Sequence, residues 1–204
     1  MHLMKTVSIA LKSVSPYSQS RAIGTPKNPS ESGDDFERRT WNERIHCDTD
    51  GIAYIPPMSF KKALDAAARY TGLKIPGGRS ATYTKHVESG TFIVDPLRLD
   101  IHKDSIPGEW LFLDANGKKG KQSSGRVMRC MPRFDHWEGK ITIYVIDEKV
   151  LNTHPERKQI TVLEHFMRTA GSLIGIGRFR PENGGFYGRF VVNGFEIQEV
   201  ADEL

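Results

Sequence analysis

Over residues 6–14 apolar and polar side chains alternate, with Val7, Ile9 and Leu11 on one face, and this period of two predicts a β-strand. From Ser15 to about Gly51 the pattern dissolves. Pro16, Pro26, Pro29, several serines and the Gly33-Asp34-Asp35 step predict a long insertion, which Phe36, Trp41 and Ile45 can anchor. Ile52–Ile55 reads as a short extended run ending at Pro56-Pro57. Ser59 then stands as a helix N-cap, followed by Phe60, Ala63, Leu64, Ala67 and Tyr70 at helical spacing, with Gly72 as the stop. Lys61–Asp65 and Asp65–Arg69 are i,i+4 pairs expected on the wet side of this helix.

Further along, Phe92, Val94, Leu97, Leu99 and Ile101 predict a strand pair or a strand bent at Pro96. Trp110–Leu113 and Arg126–Met131 predict a hairpin with a long basic loop over about 114–126. Ile141, Ile143 and Val145 alternate as a further strand. Ile160, Leu163, Phe166, Met167, Ala170 and Leu173 form the apolar stripe of a second helix over roughly 158–173. A glycine-rich turn and a terminal strand around Phe186–Val192 complete the pattern. No internal repeat is present. The order of elements predicts an α+β fold, a mainly antiparallel sheet with two main helices packed on one face and long insertions.

The length of 204 residues fits one domain spanning 1–204, and a hydrophobic share of 38% is enough for a core, which excludes a disordered chain. No apolar run approaches the roughly 20 residues of a membrane span, and the N-terminus lacks the apolar block of a signal peptide. Cys47 and Cys130 are the only cysteines, so neither a disulfide scaffold nor a four-cysteine zinc site is available. A cytoplasmic protein without membrane contact, metal or cofactor is expected.

The net charge of +4 says little until its distribution is considered. Lys118, Lys119, Lys121, Arg126, Arg129 and Arg133 follow one another with no acid between 117 and 133. Lys74, Arg79 and Lys85 do the same between 72 and 87, while acids collect between 31 and 50. Such segregation favours a polyanionic partner, the alternative for each segment being a solvated loop. The segment GIGRFRPENGGFYGRF sets Arg178, Arg180 and Arg189 against the single acid Glu182, among five glycines. Glycines let backbone N–H groups approach a phosphate, and guanidinium groups add bidentate contacts or stack on bases. With Phe186 and Phe190 directed to the core, Tyr187 and Arg189 would form a stacking and phosphate pair on an open sheet face. GxGxxG fails here, since Arg180 occupies the third glycine position, and no GK[ST] follows.

Seven histidines show no HExxH spacing. His46, Cys47, Cys130 and His136 are a remote possibility for zinc, and His86 is the more plausible general acid or base if RNA is cleaved. Asp34, Asp35, Asp48 and Asp50 are read as solvated carboxylates of an acidic loop before they are read as metal ligands.

Three features together resemble the RAMP superfamily, the RNA-recognition-motif-like proteins of CRISPR systems, and above all their guide-binding backbone subunits. They are a first strand running into a long insertion, the helix start Ile55-Pro56-Pro57-Met58-Ser59-Phe60-Lys61-Lys62-Ala63-Leu64, and the glycines from Gly175-Ile176-Gly177 through Gly184-Gly185 to Gly188. The resemblance implies a ferredoxin-like, RRM-like core, single-stranded RNA along the sheet and helix edge, and head-to-tail assembly with copies of itself or other nucleoprotein-complex subunits. It implies that Ser59, Lys61 and Lys62 lie near the phosphate path, and Arg178, Arg180 and Arg189 at the glycine-rich loop. The insertion and the basic hairpin would reach the nucleic acid or the next subunit. The chain is short for such a subunit and its glycine spacing irregular, which fits a stand-alone, phage- or plasmid-encoded relative.

The leading expectation is a non-enzymatic binder of single-stranded RNA, with Arg79, Lys85, Lys118, Lys119, Lys121, Arg126 and Tyr187 contributing beside the residues just named. The alternatives are a phage-type single-stranded DNA-binding or recombination protein, a mimic that inhibits a host nucleoprotein complex, and a RAMP-type endoribonuclease.

Overall fold

The computed structural model describes residues 4–114 and 125–199. Its centre is β1 (Lys5–Ser13), whose Val7, Ile9 and Leu11 are buried as the alternation requires. β1 pairs antiparallel with β8 (Glu138–Val145) on one side and with β9 (Phe190–Glu199) on the other. β4 (Thr91–Phe92) adds outside β8, giving the order β4-β8-β1-β9.

Two helices supply the second layer. α2 (Pro57–Thr71) and α4 (Val162–Thr169) pack against each other. One hydrophobic cluster joins Val7 and Ile9 of β1 to Phe60, Leu64 and Ala67 of α2 and to Leu163, Phe166 and Met167 of α4. Phe60, Trp137 and Phe190 meet at ring separations of 6.0–6.1 Å within it. With the smaller elements set aside, the chain runs β1-α2-β4-β8-α4-β9, strand–helix–strand–strand–helix–strand with the last strand beside the first. This is the expected α+β, ferredoxin-like arrangement with insertions.

The segment after β1 contains β2 (Tyr17–Ser18) and α1 (Gly33–Thr40), with a 3-10 turn at Trp41–Arg44. α1 opens on Ser32, whose hydroxyl accepts from the Asp35 N–H at 3.1 Å, so that Asp34 and Asp35 sit in the first turn of a helix. Glu37 on its inner face is fully buried. Its carboxylate accepts from Arg44 at 2.9 and 3.0 Å, from Arg129 at 3.1 Å and from the Cys130 N–H at 2.8 Å, docking α1 onto β7 (Arg126–Phe134). β7 forms the expected hairpin with β6 (Gly108–Asp114), in register from Gly108↔Pro132 to Asp114↔Arg126. The loop joining them, with Lys118, Lys119 and Lys121, lies outside the described residues. β3 (Ile52–Ile55) pairs with β5 (Leu97–His102), and α3 (Thr84–Gly90) leads into β4.

Three boundaries differ from the sequence expectation. α2 begins at Pro57, so Ser59 lies in the first turn and is not the cap; Pro57 occupies the first helical position, where a missing N–H costs nothing. The regular turns of the second helix begin at Val162, because the Thr161 hydroxyl caps the Glu164 N–H at 3.1 Å. They continue as a wider turn over Ala170–Ile174. The last strand begins at Phe190, not near Phe186. No helix of the described residues is long and apolar enough to cross a membrane.

Candidate nucleic-acid interface

The crossover from α4 to β9 is folded back on itself and strapped to the chain that leaves β1. The Ile176 N–H donates to the Gly188 carbonyl (3.0 Å), the Gly188 N–H to Pro16 (2.6 Å), the Arg178 N–H to Ser18 (3.0 Å) and the Tyr187 N–H to Phe179 (3.0 Å). Gly177 and Gly188 make this possible. Their φ angles are 72° and 71°, and a Cβ at either would run into a carbonyl, that of Ser18 or that of Ile176. Phe179 adopts φ 54°, a left-handed conformation that costs a bulky residue energy, so the surrounding straps hold it.

The strapped loop faces the N-terminal half of α2 across a groove of about 560 Å³. Met58, Ser59, Lys62, Ala63 and Ala66 form one wall, Ile174–Gly177, Arg180 and Glu182 the other, with His46 also in the lining. A smaller compartment of about 230 Å³ adjoins it, lined by Tyr17, Gln19, Ser20 and Arg178 together with residues of the groove. Beyond Ala66 a further hollow of about 560 Å³ runs on past Arg69 to Tyr70 and Leu173.

The electrostatics favour an anion. The first turn of α2 carries neither an acidic residue nor a side-chain cap, so the positive end of a 15-residue helix opens on the groove through Pro56, Met58 and Ser59. The Arg178 guanidinium donates to the Ser20 hydroxyl at 3.0 Å and lies 5.4 Å over the Phe179 ring, held by a neutral hydroxyl and an aromatic face. Burial, and then the nearby Arg44, push it below the ordinary arginine value. Arg180 is more fully occupied: it donates to Glu182 at 2.9 Å and to the Gly177 carbonyl at 3.2 Å. Lys62 is exposed on the groove wall.

Of the residues expected to bind nucleic acid, Ser59, Lys62, Arg178 and Arg180 are therefore brought together, from two segments more than a hundred positions apart in the chain. Others are placed elsewhere. Lys61 is buried on a different face of α2, paired with Asp65 and donating to the Val87 and Glu88 carbonyls at 3.2 and 3.1 Å, which closes α3 onto α2. The wet side expected for the Lys61–Asp65 pair is thus an interior side. Tyr187 is buried and donates its hydroxyl to Glu109 at 2.7 Å, while Phe186 is 61% exposed, the reverse of the expected alternation. The residues before Phe190 belong to the strapped loop, where left-handed glycines replace the period of a strand. Arg189 turns to the Ser172 carbonyl, away from the groove. Arg79 and Lys85 are exposed outside the groove lining, and Arg126 stacks at 4.9 Å on Phe112 of the neighbouring strand.

His46, read from the sequence only as a remote zinc ligand, emerges as a groove residue. Its backbone N–H donates to Gln19 at 2.8 Å and its carbonyl accepts from Tyr54 at 2.9 Å. Burial, and secondarily Arg21, hold its imidazole below the usual histidine range. Among the described residues no group of His, Cys, Asp and Glu is clustered to hold a metal. His86 lies outside the groove on α3, its Nδ1 2.6 Å from Asp147.

No protein-family model matches the chain, and no curated protein matches it. Matches among solved structures include a chain of the Type III-B Cmr-beta bound to cognate target RNA. It is 15% identical with a TM-score of 0.49, over 98% of this chain and 62% of that one. A chain of a CRISPR RNA-guided surveillance complex is 13% identical with a TM-score of 0.43, over 94% of this chain and 68% of that one. This chain spans less than two thirds of the length of the first.

Proposed function

We propose that this protein binds single-stranded nucleic acid, RNA foremost, in the groove between α2 and the glycine-rich crossover, as a RAMP-like backbone subunit that holds a guide-type strand. Copies of the chain, or other subunits of a nucleoprotein complex, would then line up head-to-tail along that strand, the insertion reaching toward the nucleic acid or the next subunit. The observation that carries this reading is the meeting of Lys62, Arg178 and Arg180 at an uncapped, acid-free helix N-terminus. Backbone phosphates match such a site, since point charges, a guanidinium fork and the positive end of a helix dipole all attract phosphate oxygens without reading the base.

Fluorescence anisotropy with a labelled, unstructured RNA tests it. Three cations contacting phosphates give a slope of about −2 in log K against log salt, so affinity falls roughly twentyfold between about 50 and 200 mM salt. Arg178→Ala is expected to flatten that slope by about 0.7 and to weaken binding to every sequence alike. A slope near zero, or an Arg178→Ala variant with unaltered slope, refutes the groove as the phosphate path.

A further inference from the structure

The groove and its side compartment share four lining residues, His46, Pro56, Ser59 and Gly177. Each compartment has its own cation, Arg178 in the smaller and Lys62 with Arg180 in the larger. A strand that sets successive phosphates in the two compartments must carry the intervening sugar across the shared rim. Only two of the rim residues have side chains able to hydrogen-bond, and neither is a formal cation there. Ser59 offers a hydroxyl in the same compartment as the buried Tyr17. His46 offers an imidazole on a backbone fixed by bonds to Gln19 and Tyr54, its ring 5.8 Å from that of Tyr54. The remaining groups at the rim are the proline ring and a glycine.

We propose that His46 and Ser59 read the ribose 2′-hydroxyl and make the groove selective for RNA over DNA, which rests on the groove being the phosphate path. The hydroxyl is both donor and acceptor and is the one group at this position that distinguishes the two polymers. A neutral imidazole, with one nitrogen donating and the other accepting, and a serine hydroxyl are matched to it. The depressed basicity of His46 keeps that imidazole neutral near neutral pH. Phosphate contacts from the arginines and Lys62 carry the affinity common to both polymers, and the rim supplies the difference between them.

The test compares dissociation constants for one sequence made as RNA, as DNA and as 2′-O-methyl RNA, each against the wild type, His46→Leu, His46→Gln and Ser59→Ala. The wild type is expected to favour RNA over DNA by roughly tenfold, the worth of one to two net hydrogen bonds, with 2′-O-methyl RNA close to DNA. His46→Leu brings the RNA-to-DNA ratio to within about twofold of unity, Ser59→Ala lowers it partway, and His46→Gln restores most of it. The ratio is insensitive to partial misfolding, because all probes meet the same preparation. Equal wild-type binding of RNA and DNA, or a ratio unchanged in both His46→Leu and Ser59→Ala, overturns the proposal while leaving the groove intact. A wild type that binds no polynucleotide overturns the groove itself.

Discussion

Replacing Glu37 with glutamine tests how the insertion is held, and its cost can be worked from the contacts. The side chain is fully buried and accepts four hydrogen bonds, two from Arg44, one from Arg129 and one from the Cys130 N–H. The amide keeps the volume but removes the charge, and turns one acceptor into a donor that faces a guanidinium. Arg129 is 35% exposed and can turn to water, so its lost pairing costs little. Arg44 is 13% exposed, and its Nε has no partner among the described residues, so its charge remains enclosed and uncompensated. Breaking a buried pair in this way costs about 3–5 kcal/mol, and with one arginine able to escape the lower end, about 3 kcal/mol, is expected. For a chain of this size that lowers Tm by roughly 6–12 °C. Scanning calorimetry of Glu37→Gln, Arg44→Met and the double variant measures it. The double variant is expected to lose clearly less than the sum of the single losses, because the enclosed cation is gone. A Tm drop below about 2 °C for Glu37→Gln, or strict additivity, would refute the reading of this network as the clamp of α1 on β7.

Gly188→Ala places a Cβ against the Ile176 carbonyl at φ 71°, and a loss of at least about 2 kcal/mol in urea unfolding is expected, whereas an alanine tolerated there would deny the strap its role. Burial, and then His154 and Arg157, depress the His165 imidazole to about 4, so between about 6.5 and 4 the unfolded chain binds the proton first. Stability from this group is complete above about pH 6.5 and is lost as the pH falls, by roughly 2 kcal/mol at pH 5. His154, depressed in the same direction by burial, adds to it. Urea midpoints at pH 7 and 5 should diverge in the wild type and diverge clearly less in His165→Phe; equal pH dependence in both would sink the assignment.

What could be read in advance was what repeats at a fixed period. The alternation in β1 and β8 and the helical stripe of α2 each reflect one surface buried against one layer, so residue type alone reports them. Lys61 and Lys62 show where that stops. Adjacent in sequence, they stand about 100° apart on a helix. One therefore closes α3 onto α2 while the other faces the groove, and only the position of α3 distinguishes them. Tyr187 and Phe186 exchanged roles for a related reason. Alternation presupposes extended backbone, whereas Gly184 and Gly188 with positive φ turn the chain between them.

The candidate site was half legible for a third reason. Its charges were visible as arginines among glycines, but whether a charge is available depends on what meets it across the chain. Arg178 and Arg180 are two residues apart in the same loop. Arg180 finds a carboxylate two positions on, in Glu182, while Arg178 reaches back 158 positions to a neutral hydroxyl of the insertion. The insertion thus holds the better-placed cation in position and also supplies His46 beside it, so the segment with the weakest periodicity in the sequence completes the site. Loosening it should therefore cost binding as well as stability. In Glu37→Gln, loss of RNA affinity beyond the unfolded fraction would locate that coupling, and affinity that merely tracks the folded fraction would show that Ser20 and His46 hold their places without α1.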